Sequence, residues 1–183
     1  MLLIIDNFTG HNQQKPKVQK TMKELLQQYA AYNIWATKLL TDRINKLSEE
    51  EITKEITSSF PSVYKTLQHM WLAEEIWWQR LKLTENIVLE SARFTGSFSE
   101  MVNMLSRQSQ QFKDWIDHAT ETQLEHVFAY IRNKEQIKMP VYQMLQHVFN
   151  HATYHRGQLV TLLNQLGADK IPSTDFSAFC RGK

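Results

Sequence analysis

From residue 22 onward, apolar side chains recur at intervals of three and four, the period of an amphipathic helix. Leu25, Leu26, Tyr29, Tyr32, Asn33, Ala36, Leu39, Leu40 and Ile44 carry the first such face, so the pattern predicts a helix over 22–46. Residues 47–60 are polar and acidic, then β-branched, and read as a connection. Pro61 suits a helix's first turn. Val63, Leu67, Met70, Ala73, Trp77 and Leu81 then extend a second helix to residue 83. Little periodicity survives over 84–97, until Ser97-Phe-Ser-Glu100 matches a capping box. That motif opens a third helix ending near Ala119, with Phe98, Val102, Leu105, Phe112, Trp115 and Ile116 inward.

The period then changes. His126-Val-Phe-Ala-Tyr-Ile131 alternates and is rich in strand formers, Arg-Asn-Lys-Glu follows as a turn, and Gln-Ile-Lys-Met-Pro140 can pair back, which predicts a short hairpin. A fourth helix starts at Pro140 and runs to Leu166, where Gly167 stops it. Residues 168–183 read as a tail. The predicted fold is all-α: a four-helix bundle with a short β-hairpin between its third and fourth helices.

Composition supports this picture. The chain has 183 residues, enough to bury one substantial core, and only five glycines and four prolines, which favours long helices. Residues 1–20 are apolar for a few positions and then polar and unpatterned, so they read as an extension outside the fold, with 21–183 as one domain. His11 falls in that extension. Net charge is +2 and the charges are interspersed, which argues against a nucleic-acid partner. No apolar run reaches the roughly 20 residues of a transmembrane helix, so no membrane role is expected. A single cysteine, Cys180, excludes an intramolecular disulfide and fits a cytoplasmic location.

The chemistry concentrates in His147-Val-Phe-Asn-His151-Ala-Thr-Tyr-His155, which holds three of the chain's seven histidines. Side chains four apart on a helix lie one turn apart on one face, near enough to share an ion. At about 100° per residue, with His151 at zero, His155 sits near 40° and His147 near −40°, against an apolar stripe centred around 60°. His151 and His155 are therefore the candidate ligand pair, and His147 is a rim or supporting group. His69 on the second helix is the obvious third candidate, with Thr66 and Ala73 leaving room one turn to either side. Three imidazoles and an open position describe a catalytic type of metal site. The competing reading is that all three are hydrogen-bonded core histidines, and spacing alone leaves the two evenly balanced. No His-Glu-x-x-His and no Glu-x-x-His occurs, so zincin and ferritin-like di-iron patterns are absent. His118 and His126 are expected to be exposed or capping residues. Glu74 and Glu75 are expected on a solvated or ion-paired helix face, the alternative being a base or a carboxylate behind the ligands.

Several strings together resemble the DinB/YfiT-like metalloenzyme family. They are Tyr29-Ala-Ala-Tyr-Asn33-Ile-Trp35-Ala, His69 with Ala73-Glu74-x-x-Trp77, Asn150-His151-x-x-x-His155-Arg156-Gly157-Gln158, and the closing Ile171-Pro-Ser-Thr-Asp175-Phe. The resemblance spans about residues 22–180. It implies a four-helix bundle holding a divalent metal, usually zinc or nickel, on His69, His151 and His155. It also implies a homodimer and a small-molecule substrate with a low-molecular-weight thiol such as mycothiol, bacillithiol or glutathione. The 1–20 extension and a hairpin turn without glycine depart from the family pattern.

The expected activity is thiol S-transfer at a metal centre. The alternative is a non-catalytic metal-binding helical dimer with a stress-response or binding role. For Arg156, an ion pair with a neighbouring helix is the favoured role, and a grip on an anionic cosubstrate the other. Gly157 is expected to permit close helix approach, and Gln158 and Asn150 to support packing or ligand orientation. One or two of Trp35, Trp71, Trp77 and Trp78 are expected to line a pocket or a dimer surface.

Overall fold

A computed structural model describes residues 20–182 of the protein. The expectation for residues 1–19, His11 included, lies outside the described residues. Four long helices account for most of the remainder: α1 (Met22–Ile44), α3 (Val63–Leu81), α5 (Phe98–His118) and α7 (Val141–Gln165). Between and after them lie four short ones, α2 (Glu49–Thr53), α4 (Glu90–Arg93), α6 (Glu121–Glu125) and α8 (Phe176–Cys180), and a hairpin of β1 (Val127–Arg132) and β2 (Glu135–Pro140). Among the described residues, no helix is long and apolar enough to cross a membrane.

Each long helix begins and ends for a local reason. Thr21 and Glu24 form a capping box at the start of α1, and Ser97 and Glu100 form the one expected at α5. Ser62 caps α3 by accepting from the Lys65 amide. At the end of α7, Gly167 takes a left-handed conformation, and Gly167 and Ala168 donate to the carbonyls of Asn164 and Leu163, a Schellman termination. The same capping logic starts two five-residue helices: Ser48 with Glu51 opens α2, in the segment read as a connection, and Thr120 with Gln123 opens α6.

The main packing partners of α1 are α5 and α7, and those of α3 are also α5 and α7. The four therefore form a bundle in the spatial order α1, α5, α3, α7, in which the first and second long helices of the chain lie diagonally opposite. This order makes α3 and α7 direct neighbours.

The apolar core divides into two clusters. One contains Leu40, Leu67, Met70, Leu105 and Leu159; the other contains Leu26, Trp77, Phe112, Met144 and Val148. Buried polar residues lie between them along three of the long helices: Asn33 and Thr37 on α1, Glu74 on α3, and Gln108 and Ser109 on α5; on α7 the buried Arg156 lies between Ala152 and Leu159 of the first cluster.

The hairpin pairs antiparallel from Val127 opposite Pro140 to Arg132 opposite Glu135, each strand running one residue further into the turn than expected. Phe128 packs inward while Val127 and Ile131 are exposed, as alternation requires. Asn133 and Lys134 both have positive φ, at 51° and 68°, the requirement of a two-residue type I′ turn.

The C-terminal segment is more than a tail. The Tyr32 hydroxyl donates to the Thr174 carbonyl, and Phe176 and Phe179 of α8 pack against Tyr29, Tyr32 and Trp35. Two positions expected inward on α1 are corrected. Leu25 is 44% and Tyr29 42% exposed, and Tyr29 instead stacks on Phe176 with ring centroids 5.1 Å apart.

Candidate metal centre

His69 points from α3 toward α7, and His151 and His155 point back from successive turns of α7. The Nε2 atoms converge: His69 to His151 is 3.2 Å and His155 to His151 is 3.0 Å. Among the described residues these three form the one cluster of side chains placed to hold a metal ion, with ligand atoms all within 4.8 Å of one another. Nitrogens bonded to a common ion at about 2.0–2.1 Å, with angles of roughly 90–105° between bonds, would stand about 2.8–3.3 Å apart, so the observed separations fit the group.

The donor chemistry fits as well. The Gln158 carboxamide oxygen lies 2.7 Å from His155 Nδ1, and its nitrogen donates to the Tyr154 hydroxyl at 3.1 Å. An amide oxygen only accepts, so His155 carries its proton on Nδ1 and presents a bare Nε2 lone pair to the cluster. Burial, followed by the neighbouring His155, pushes the His69 pKa down to about 4. Burial first, then His155, His69 and His147, does the same for His151. Burial also lowers His155, opposed by the bond to Gln158. All three are neutral near pH 7, the state in which imidazole ligates a metal.

The surroundings contain one residue that pattern reading missed. Phe60, in the connection before α3, stacks on the His69 ring at 4.0 Å and meets His155 edge-on at 5.5 Å. It covers one side of the cluster. Its only sequence signal was a lone aromatic before Pro61 in a polar stretch. Two cavities share His69. One of about 460 Å³ runs past Phe60, Leu72 and Phe94, and one of about 340 Å³ is lined by Ala73, Trp77, Arg80, Arg132, His147 and His151. Ala73 thus borders open space as expected. Thr66 does not, because it is fully buried and donates to the Ser62 carbonyl.

His147 is exposed, lines the smaller cavity and meets Trp77 edge-on at 5.0 Å, the rim position expected. His118 and His126 are exposed. Of the tryptophans, Trp71 and Trp77 are buried, and Trp77 and Trp78 each line a cavity.

Three expectations are corrected. Glu74 and Glu75 are not solvated but 3% and 7% exposed. Glu74 accepts from Asn33 Nδ2 and from the Ser109 hydroxyl, and burial pushes its pKa up to about 7 against those hydrogen bonds and the Arg156 charge. Glu75 accepts from the Glu90 and Ser91 amides and the Ser91 hydroxyl, filling the empty cap of α4. Among the described residues Arg156 makes no ion pair within 4.0 Å; it is 1% exposed, donates to Asn33 and Thr153, and lies over the Tyr32 ring. Gly157 permits no close approach, since a Cβ there would meet nothing within 4 Å. Asn150 is exposed.

The buried residues have a consequence for the histidines. Asn33 bridges Glu74, five positions after His69, to Arg156, the residue after His155. A polar bridge through Asn33 of α1 therefore joins α3 to α7 beside the histidines.

Comparison with known proteins places the sequence beside one family. The model of the DinB family matches residues 17–182. Protein DinB of Bacillus subtilis (strain 168) is 27% identical over 165 residues, covering 81% of this chain and 89% of that protein.

Proposed function

This chain belongs to the DinB family, and from that premise we propose that it is a metal-dependent enzyme of the low-molecular-weight-thiol S-transferase type, with His69, His151 and His155 as the ligands of a divalent ion such as zinc or nickel. The observation that carries the reading is the convergence of three neutral imidazole Nε2 atoms beside two cavities. A divalent cation in such a set lowers the pKa of a coordinated thiol or water and so supplies a nucleophile near neutral pH.

The chain's own residues contribute position and shielding. Gln158 fixes the tautomer of His155, and such supporting contacts are typically worth 10–100-fold in metal affinity or activity, as an order of magnitude. Phe60 keeps water from one side of the cluster. Ala73 leaves space on the α3 side, and Trp77 gives an apolar wall against which an electrophilic small molecule can lie.

The test is elemental analysis of protein purified without an affinity tag, with His155→Ala alongside, followed by assays with several low-molecular-weight thiols and electrophiles. About one divalent ion per chain is expected, lost in the variant, together with metal-dependent consumption of at least one thiol. Metal-free protein that takes up no zinc or nickel would overturn the metal reading. A metal-loaded protein that consumes no thiol would overturn the transferase reading.

A further inference from the structure

The smaller cavity beside the histidines carries an excess of positive charge. Arg80 lies on α3, with its guanidinium carbon 4.6 Å from the Trp77 ring centroid and 4.3 Å from that of Tyr130. The two ring centroids are themselves 5.2 Å apart, so the guanidinium rests in the angle between Trp77 and Tyr130 and is held at the cavity by both rings. Arg132 ends β1 two residues beyond Tyr130, and strand alternation places it on the same face of the hairpin. It lines the same cavity as Arg80, His147, His69 and His151.

Nothing among the described residues neutralises the two arginines. Among the described residues, the ion pairs within 4.0 Å are Lys38 with Asp42, Arg43 with Asp169, and Lys113 with Asp117. Glu135, the register partner of Arg132 across the hairpin, forms no such pair with it, and among the described residues no acidic side chain lines the cavity. Burial, and then the charge of Arg132, pull the Arg80 pKa down, against the effect of Tyr130. Burial and both arginines likewise lower His147. Like charges held together in a partly desolvated pocket are unfavourable until an anion joins them.

We propose that Arg80 and Arg132 form an anion-binding subsite, which takes a carboxylate or phosphate group of a small molecule whose other end reaches the three-histidine centre. Arg156, the anion anchor considered from sequence, is 1% exposed and committed to Asn33 and Thr153. The second half of the proposal, that the anion belongs to the molecule meeting the metal, rests on the proposed function. The subsite itself does not.

The test separates the two. Succinate, inorganic phosphate and the neutral control acetamide are titrated calorimetrically into the purified full chain, as isolated and after chelation, at low and high salt. Wild-type protein is expected to bind succinate or phosphate but not acetamide, more weakly at high salt. Arg80→Gln and Arg132→Gln are each expected to weaken that binding about tenfold, the loss of one charge-assisted hydrogen bond. Arg132 is exposed at a strand end, so its variant keeps the test decisive should Arg80→Gln, which loses its stack on Trp77 and Tyr130, fail to fold. The anion that binds tighter identifies the carboxylate or the phosphate as the natural group. Absence of binding by either anion, or binding unchanged in Arg132→Gln, overturns the subsite even if the protein holds its metal. Anion binding in chelated protein that takes up no metal upholds the subsite and discards only the proposed function. With zinc-loaded protein, mercaptosuccinate is expected to bind at least tenfold tighter than 2-mercaptoethanol, and this preference is expected to vanish in Arg132→Gln. Equal affinities for the two thiols would overturn the link between the subsite and the metal.

Discussion

Glu74 and Glu75 are adjacent, chemically identical and buried for different purposes. Glu75 serves the backbone, capping α4 from another helix. Glu74 serves side chains, and burial raises its pKa to about 7. Against an unfolded value near 4.5, the folded state binds more protons between about pH 4.5 and 7. The stability that this carboxyl contributes is therefore fully present below 4.5 and is lost as pH rises through 7. His69 and His151 act in the opposite sense over nearly the same window. Their folded values near 4 lie below 6.5, so the unfolded state takes up protons first and stability falls as pH drops from 6.5 toward 4. Comparing wild type with Glu74→Gln cancels the histidines. Relative to wild type, Glu74→Gln is expected to be more favourable at pH 8 than at pH 5, by an amount on the order of 3 kcal/mol. Urea unfolding midpoints at the two values measure it, and a difference independent of pH would show that Glu74 is ionised throughout. Neither burial was legible in the chain. A helical wheel ranks faces by apolar content and puts an acid doublet outside. The partners that make these acids tolerable inside, Asn33, Ser109 and Ser91, lie 41, 35 and 16 residues away.

Elements were legible in proportion to their length. The four long helices repeat their apolar period several times, so their faces and ends could be read, and Ser97 with Glu100 marked one start outright. The five-residue helices α2 and α6 open with the same kind of capping box, but each is too short to complete two periods of the helical pattern. The hairpin was found because alternation is visible in a few residues. Its turn tests the reading of its backbone. Lys134 has φ of 68°, a conformation that costs an L residue with a Cβ roughly 1–2 kcal/mol, and glycine nothing of that kind. Lys134→Gly is expected to stabilise the protein by about 0.5–1 kcal/mol after allowing for the greater freedom of glycine in the unfolded chain. A rise in the urea midpoint with unchanged slope would register it. Destabilisation would mean that the turn is not the type I′ described.

At the scale of the whole molecule, the decisive feature is the arrangement of the helices around the bundle. With α3 and α7 as neighbours and α1 touching α7, Asn33 can join Glu74 to Arg156 while His69 meets His151 and His155. Asn33→Leu removes both hydrogen bonds and leaves two ionisable groups buried apart from each other. The expected cost is on the order of 3 kcal/mol, with weaker zinc binding because the facing surfaces of α3 and α7 lose their common tie. Chemical denaturation and competitive chelator titration measure the two effects. Stability lowered with zinc affinity unchanged would show that the polar layer supports the fold without positioning the histidines.

The sequence by itself determined what is periodic: four helices and the apolar core of their inward faces, though not Leu25, Tyr29, Glu74 or Glu75, a hairpin, the pairing of His151 with His155 on one side of α7, and the peripheral place of His147. These depend on the order of side chains over one or two turns, where geometry is set by the backbone alone. It also pointed to His69 as the third partner, but the contact between His69 and His151 spans 82 residues, and no local rule specifies which helices become neighbours. Tertiary packing alone decided that α1 and α3 lie diagonally opposite, that Phe60 covers the histidines, that Glu74 and Arg156 are buried in one polar bridge, and that Arg80 and Arg132 face one cavity. Each of those depends on which surfaces fill one another's grooves once the apolar faces are buried together, a property of the packed bundle that is absent from any single helix.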